Sequence, residues 1–462
     1  GGAGGWPWLG SLPALLVVAL HLAVNAGRLA QEAFLIAGIT LLGVLGAGLL
    51  ASAPAGAGGI SLYEVGSADV GLAAAGYAAR AQDASPVFTN PAGMTRLEAN
   101  QLSFGGQLLY GDVGYVPGDE TTPALGTGDG GNPVEWFPGG GLFYSHSVSS
   151  DLKLGIAVTG NFGSVVEYED DWVGRYYLQE GTLLGVSILP SVGWRATEKL
   201  SLGASLNVMY GKFDTRVAVN NLVGEDGELS LDDNVWGLGA NLGLLYEASP
   251  ATRFGLTYNS AVDLDFEART QFEGLGPLVS ALLSSRGLLD TDVDLGVEVP
   301  QGIMASFYHQ VDTDWALLGN VGWQDWSRFG EVAVGVESND PVSLTTELEF
   351  DDTWHVALGA QYQWSPGWLL NFGISHDSAF QDDDAVALAL PANAAWRFGV
   401  GGQSNAAQRF DWGWSLAYLW GGDLGTNLRA NVPVALGGRG NVVGEFEDTA
   451  YFVGAVTLNW RF

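Results

Sequence analysis

The chain has 462 residues and is rich in Gly (68), Trp (17), Tyr (15) and Phe (20), with only 18 Lys plus Arg. Its formal charge of −33 excludes duplex nucleic acid as a partner, because phosphate repulsion opposes contact. The absence of Cys excludes disulfides, thiolate chemistry and Cys-based zinc sites, and 47% hydrophobic residues excludes a disordered polar chain.

Two apolar runs open the chain, Leu9–Ala26 and Phe34–Ala53. The second follows Arg28 and ends in small residues through Ala57, which reads as a secretory signal peptide cleaved after Ala57. Residues 1–57 are therefore assigned to an upstream segment and signal. A helical hairpin anchor is the alternative, since each run approaches bilayer-spanning length. Residues 58–98 come next, small in side chain, weak in alternation and carrying a turn at Asn90-Pro91-Ala92-Gly93.

From residue 99 to 462 the chain alternates with the period of β-strands. In the last segment Phe452, Val456, Leu458 and Trp460 face one way, and Ala455, Thr457, Asn459 and Arg461 the other. Strands are predicted near 99–115, 138–148, 152–168, 182–196, 200–218, 235–248, 253–270, 300–311, 315–335, 347–364, 368–380, 394–404, 409–428 and 447–462. Short turns (149–151, 197–199, 249–252, 312–314, 365–367, 405–408) alternate with long loops. That asymmetry, with aromatics toward strand ends, marks an outer-membrane barrel of a Gram-negative cell, with short periplasmic turns and long outer loops. The fold class predicted is all-β, a transmembrane antiparallel barrel of about 14 strands. Closure satisfies every backbone group in lipid. A barrel this wide encloses an aqueous lumen unless filled, and residues 58–98 are expected to supply an N-terminal hatch.

Loop acids such as Glu167, Glu169, Asp170, Asp171 and Asp382–Asp384 read as solvated charges, or as sites where divalent cations bridge to anionic headgroups of lipopolysaccharide. In the loop at 271–299, Leu275, Leu278, Val279, Leu282 and Leu283 recur at helical spacing. So apolar a loop either packs on another loop or captures a hydrophobic ligand. By parity Lys153, Arg195, Arg253 and Arg461 point inward near the turn end, and Arg269 and Arg397 near the loop end. Arg175 lies in a loop. Each inward Arg either binds a ligand carboxylate or pairs with a lumen acid, Arg269 with Asp263, Asp265 or Glu267. No nucleophile elbow, metalloprotease helix or phosphate-binding loop occurs, so no catalytic residue, metal or cofactor is expected.

Gly71-Leu-Ala-Ala-Ala-Gly76, the stretch Ala78–Asp83, Ser85–Met94 with its Asn90-Pro91-Ala92 turn, Trp172-Val-Gly-Arg-Tyr176 and the terminal Phe462 resemble the FadL-type outer-membrane transporters. The resemblance runs from about residue 58 to the end. It implies a fourteen-stranded monomeric barrel, a hatch, and passive uptake of long-chain fatty acids or aromatic hydrocarbons. It also implies capture between outer loops, exit through an opening in the wall, and recognition of Phe462 by the barrel-assembly machinery. Gly160 and Gly163 hint at an irregular wall in the third strand. A non-transporting adhesin or structural barrel is the alternative from another class.

Overall fold

The computed structural model describes residues 63–329, 331–336, 342–347, 350–404 and 409–462; the signal-peptide expectation and the 405–408 turn lie outside them. The N-terminal segment contains α1 (Ser67–Gly71), α2 (Pro86–Thr89) and a 3-10 turn, Pro91–Arg96. Strands follow in the order β1 (Gln101–Pro117), β2 (Trp136–Ser147), β3 (Leu152–Glu167), β4 (Glu180–Arg195), β5 (Leu200–Val219), β6 (Gly227–Ser249), β7 (Thr252–Asn259), β8 (Val262–Arg269) and β9 (Gln271–Glu273). After α3 (Pro277–Ser285) come β10 (Asp292–Val299), β11 (Gly302–Gln310), β12 (Trp315–Gln324) and α4 (Trp326–Phe329). The chain ends with β13 (Glu331–Val336), β14 (Val342–Glu347), β15 (Thr353–Ser365), β16 (Trp368–Asp377), β17 (Ala395–Ser404), β18 (Phe410–Leu428) and β19 (Val442–Arg461).

Fourteen of these strands, all but β8, β9, β10, β13 and β14, form one closed antiparallel barrel, sealed by β1 against β19. Closure matters because an open edge cannot be satisfied in lipid. Among the described residues no helix is long and apolar enough to cross a membrane. Their alternation sorts the faces: Trp354, Val356 and Leu358 point out to an apolar belt, while His355, Ala357 and Gln361 are buried inside. The same holds for Leu202 and Leu206 against Ser201 and Ser205, and for Phe452 and Val456 against Ala455 and Thr457.

Three predicted strands differ. The one expected over 253–270 breaks at Ser260-Ala261, and β8 leaves the barrel to pair with β10, which pairs with β13. The cause is glycine on the inner wall. A Cβ at Gly237 would lie 2.4 Å from Val262, and one at Gly211 would lie 2.9 Å from Leu264, so β8 crosses inside β5 and β6. Its Val262, Leu264, Phe266 and Ala268 are buried on that wall, and Asp263, Asp265 and Glu267 are exposed. The strand expected over 315–335 is interrupted by α4, whose Trp326 and Phe329 are buried in the same apolar cluster as Leu264 and Phe266. The strand expected from 347 begins at Thr353.

Candidate functional site

The described part of the N-terminal segment, residues 63–98, packs against the inner wall, and its geometry follows from small residues on both sides. An added Cβ at Gly105, Gly203, Gly243, Gly255, Gly373 or Gly399 would come within 2.0–2.3 Å of this segment. Six strands around the barrel thus lack a side chain where the segment's backbone passes. Asn90 is extended and caps the 3-10 turn, its Oδ1 accepting from the Ala92 N–H at 3.1 Å, with Pro91 in the first position. Its amide donates to the Ala78 and Leu244 carbonyls at 2.6 and 3.0 Å. Ala92 lies against Gly203, where a larger side chain has no room. Three alanines, Ala73, Ala74 and Ala81, hold positive φ, a strain that persists only where the surroundings enforce it.

Polar groups tie the segment to the wall. Arg195 donates to the Thr95 carbonyl at 2.7 Å and Arg253 to the Ala79 carbonyl at 2.6 Å, its guanidinium 3.6 Å above the Tyr308 ring. Asn320 accepts from the Gly76 N–H at 2.8 Å, and Arg96 pairs with Glu247. Inside the segment Arg80 is buried and bridges Asp69 (3.0 Å) and Asp83 (3.3 Å). Burial pushes the Asp69 carboxyl up to about 6 despite Arg80. Burial also raises Asp83, but Arg80 and the Ser85 hydroxyl and N–H outweigh it and hold that carboxyl below its usual range.

A folded carboxyl that keeps its proton up to about 6, against 3.8 when unfolded, favours the seated segment most below 3.8. That contribution is lost as pH rises through about 6. Amide protection of residues 67–85 is therefore expected to be greater at about pH 5 than at about pH 7.5, and Asp69→Asn to abolish the difference. Hydrogen exchange of the purified barrel measures it; an unchanged wild-type profile contradicts it.

The inward cations expected from parity divide. Lys153 is buried and donates to the Ser147 hydroxyl at 2.7 Å, and Arg461 pairs with Asp411. Arg397 is buried on β17, paired with Glu64 of the N-terminal segment and with Asp377 at 3.4 Å. Arg269 is a correction. It lies on β8, outside the barrel ladder, exposed and paired with Asp290 at 2.6 Å rather than with Asp263, Asp265 or Glu267. Arg175 stitches loops together, reaching Asp226 at 3.0 Å and the Leu125 carbonyl at 2.9 Å while Tyr176 donates to Asp226 at 2.7 Å.

In the 271–299 loop the predicted helix forms as α3. Leu278 is 68% and Leu282 50% exposed, Leu275 and Leu283 are half-buried, and Val279 alone of the five is buried. An aromatic cluster that periodicity did not reveal gathers Phe162, Phe266, Trp326, Phe329, Phe350 and Phe380. Trp326 and Phe380 lie 5.3 Å apart and Phe329 and Phe350 stack at 5.9 Å. Phe162 directly follows the bulge at Asn161, where the β3–β4 register shifts. The ladder between β2 and β3 runs only from Gly141↔Thr159 to Ser147↔Lys153, so Gly160 and residues 162–166 of β3 pair with β4 alone. An empty volume of about 500 Å³, partly open to solvent, lies between Glu64, Val70, Leu109, Phe137, Arg397 and Leu419. Another of about 450 Å³ is lined by Tyr63, Tyr77, Phe88, Asn161 and Met304.

A family model described as outer membrane protein transport protein (OMPP1/FadL/TodX) matches residues 48–462. A long-chain fatty acid transport protein of Escherichia coli O6:H1 is 25% identical over 74% of this chain and 82% of its own. Outer membrane protein P1 of Haemophilus influenzae is 28% identical over 75% and 83%. Among solved structures, a Pseudomonas aeruginosa FadL homologue superposes with a TM-score of 0.76 at 16% identity, covering 88% of this chain and all of that one. The Ralstonia pickettii toluene transporter TbuX superposes with a TM-score of 0.62 at 16% identity over 87% and 99%.

Proposed function

Because the chain belongs to the OMPP1/FadL/TodX family of outer membrane transport proteins, channels for hydrophobic compounds rather than enzymes, we propose that it takes up long-chain fatty acids. Ligand is captured at the loop end, passes inward, and leaves through the wall beside β3, with residues 58–98 as the hatch. The observation that carries this reading is Arg397, a buried cation beside a largely apolar recess that is partly open to solvent. Sequence relatives named for fatty acid transport support it. The stretch of β3 without a β2 partner supports lateral exit, since no ladder bonds join the two strands there. Exposed Leu278 and Leu282 support capture, because water disfavours bare apolar surface on a loop. We assign Phe462 to recognition by the assembly machinery and the acidic loops to cation-bridged lipopolysaccharide.

Uptake of aromatic hydrocarbons is the second reading, favoured by the ring cluster around Trp326 and Phe380. Calorimetry on the purified barrel with oleate and with toluene separates the two: oleate is expected to bind and to displace toluene, and binding of toluene alone assigns the hydrocarbon. Leu278→Asp with Leu282→Asp is expected to lower fatty acid uptake by cells several-fold while the barrel still folds. Full uptake by that variant removes the capture role from α3.

A further inference from the structure

We infer that residues 388–391 of the loop between β16 and β17 form a flap over the inner side of β3, which lifts as an apolar ligand passes. The inference rests on the uptake reading and names the part of the outer end that moves.

The loop, residues 378–394, keeps its own shape. Asn393 Oδ1 accepts from the Phe380 and Gln381 N–H groups at 2.9 and 3.0 Å, and the Gln381 amide donates to the Leu390 and Ala392 carbonyls at 2.9 and 2.8 Å. It folds inward, burying Val386, Leu388 and Leu390. Its two sides are held differently. Toward β18 the main chain bonds to Gly425, which donates to the Asp383 carbonyl at 2.6 Å and accepts from the Val386 N–H at 2.9 Å. On the other side, among the described residues, the wall supplies side-chain hydroxyls: Ser164 donates to the Ala389 carbonyl at 2.9 Å, Tyr168 to the Leu388 carbonyl at 2.8 Å and Tyr451 to the Pro391 carbonyl at 2.9 Å. The hinge therefore lies toward β18 and the free edge toward β3.

Ser164 lies in the stretch of β3 that pairs with β4 alone, so the edge rests where the wall has no β2 ladder. Lifting the edge exchanges three hydroxyl–carbonyl bonds for bonds to water, which is nearly even. The larger cost is apolar. Leu388 leaves the cluster of Tyr168 and Trp172, and Leu390 leaves that of Phe162 and Phe380. A ligand with an apolar body offsets that cost by taking the place of the two leucines against the same rings. A polar solute cannot, so the flap opens along β3 for apolar compounds and stays down for polar ones.

The chain has no Cys, so one introduced thiol reports on the edge. In intact cells, a membrane-impermeant maleimide is expected to label Leu390→Cys slowly, and several-fold faster while oleate is being taken up. Leu264→Cys, buried on β8, is expected to keep its slow rate throughout. Ser164→Cys with Leu390→Cys, oxidised to a disulfide, is expected to take up oleate several-fold more slowly than after reduction, with closure read as loss of reactive thiol. Neither single variant is expected to respond to the oxidant. If oleate leaves the labelling of Leu390→Cys unchanged, or the locked variant takes up oleate at the same rate before and after reduction, the flap is overturned while uptake stands. If the wild-type protein takes up no oleate, the uptake reading itself falls.

Discussion

Deletion of residues 58–92 is expected to convert the barrel into an open pore, raising single-channel conductance in planar bilayers at least about tenfold. A fourteen-stranded barrel has a lumen wider than its own side chains fill, and the inner wall is lined with glycine where the segment passes. Removing the segment therefore exposes a smooth polar surface that water and ions occupy. The barrel is expected to survive, since its strands are bonded to each other in continuous ladders that do not run through the segment. Retained heat-modifiable mobility on a gel checks survival independently. A folded deletion variant with wild-type conductance removes the hatch role from the segment.

The second large effect belongs to Arg80. Replacing it with Met strands two carboxylates, Asp69 and Asp83, inside the lumen, where breaking a buried pair costs about 3–5 kcal/mol. Both acids lie in the segment, so the cost falls on its seating rather than on the barrel. Arg80→Met is expected to make residues 63–98 accessible to protease and to raise conductance toward that of the deletion. Adding Asp69→Asn and Asp83→Asn is expected to restore most of the seating, because a neutral cluster carries no unpaired charge. Wild-type protease resistance in Arg80→Met contradicts the account; failure of the added substitutions to rescue assigns the defect to lost packing.

Strand existence and facing were readable because they depend on near neighbours. Trp354, Val356 and Leu358 alternate with His355, Ala357 and Gln361 within eight residues, and a strand turns such alternation into two faces. The Leu-rich helix at Pro277–Ser285 was readable for the same reason. The candidate site was readable only in residue type. Arg397 and Arg269 looked alike by parity, yet Arg397 is buried against Glu64, 333 residues away, and Arg269 is exposed on Asp290. The aromatic cluster joins Phe162 to Phe380 across the lumen, and no local period encodes a contact of that span.

The alternating sequence by itself pointed to a closed barrel of about fourteen strands with short turns and long loops, because strand period and backbone satisfaction in lipid favour that solution, and the fold has fourteen. Tertiary structure decided where the chain departs from that barrel. Residues 262–269 alternate as well as any wall strand, but glycines at 211 and 237 open a groove on the inner face, and burying Val262, Leu264 and Phe266 there draws β8 out of the ladder. It also decided which charges pair, since burial makes each cation take whichever carboxylate the fold brings within reach.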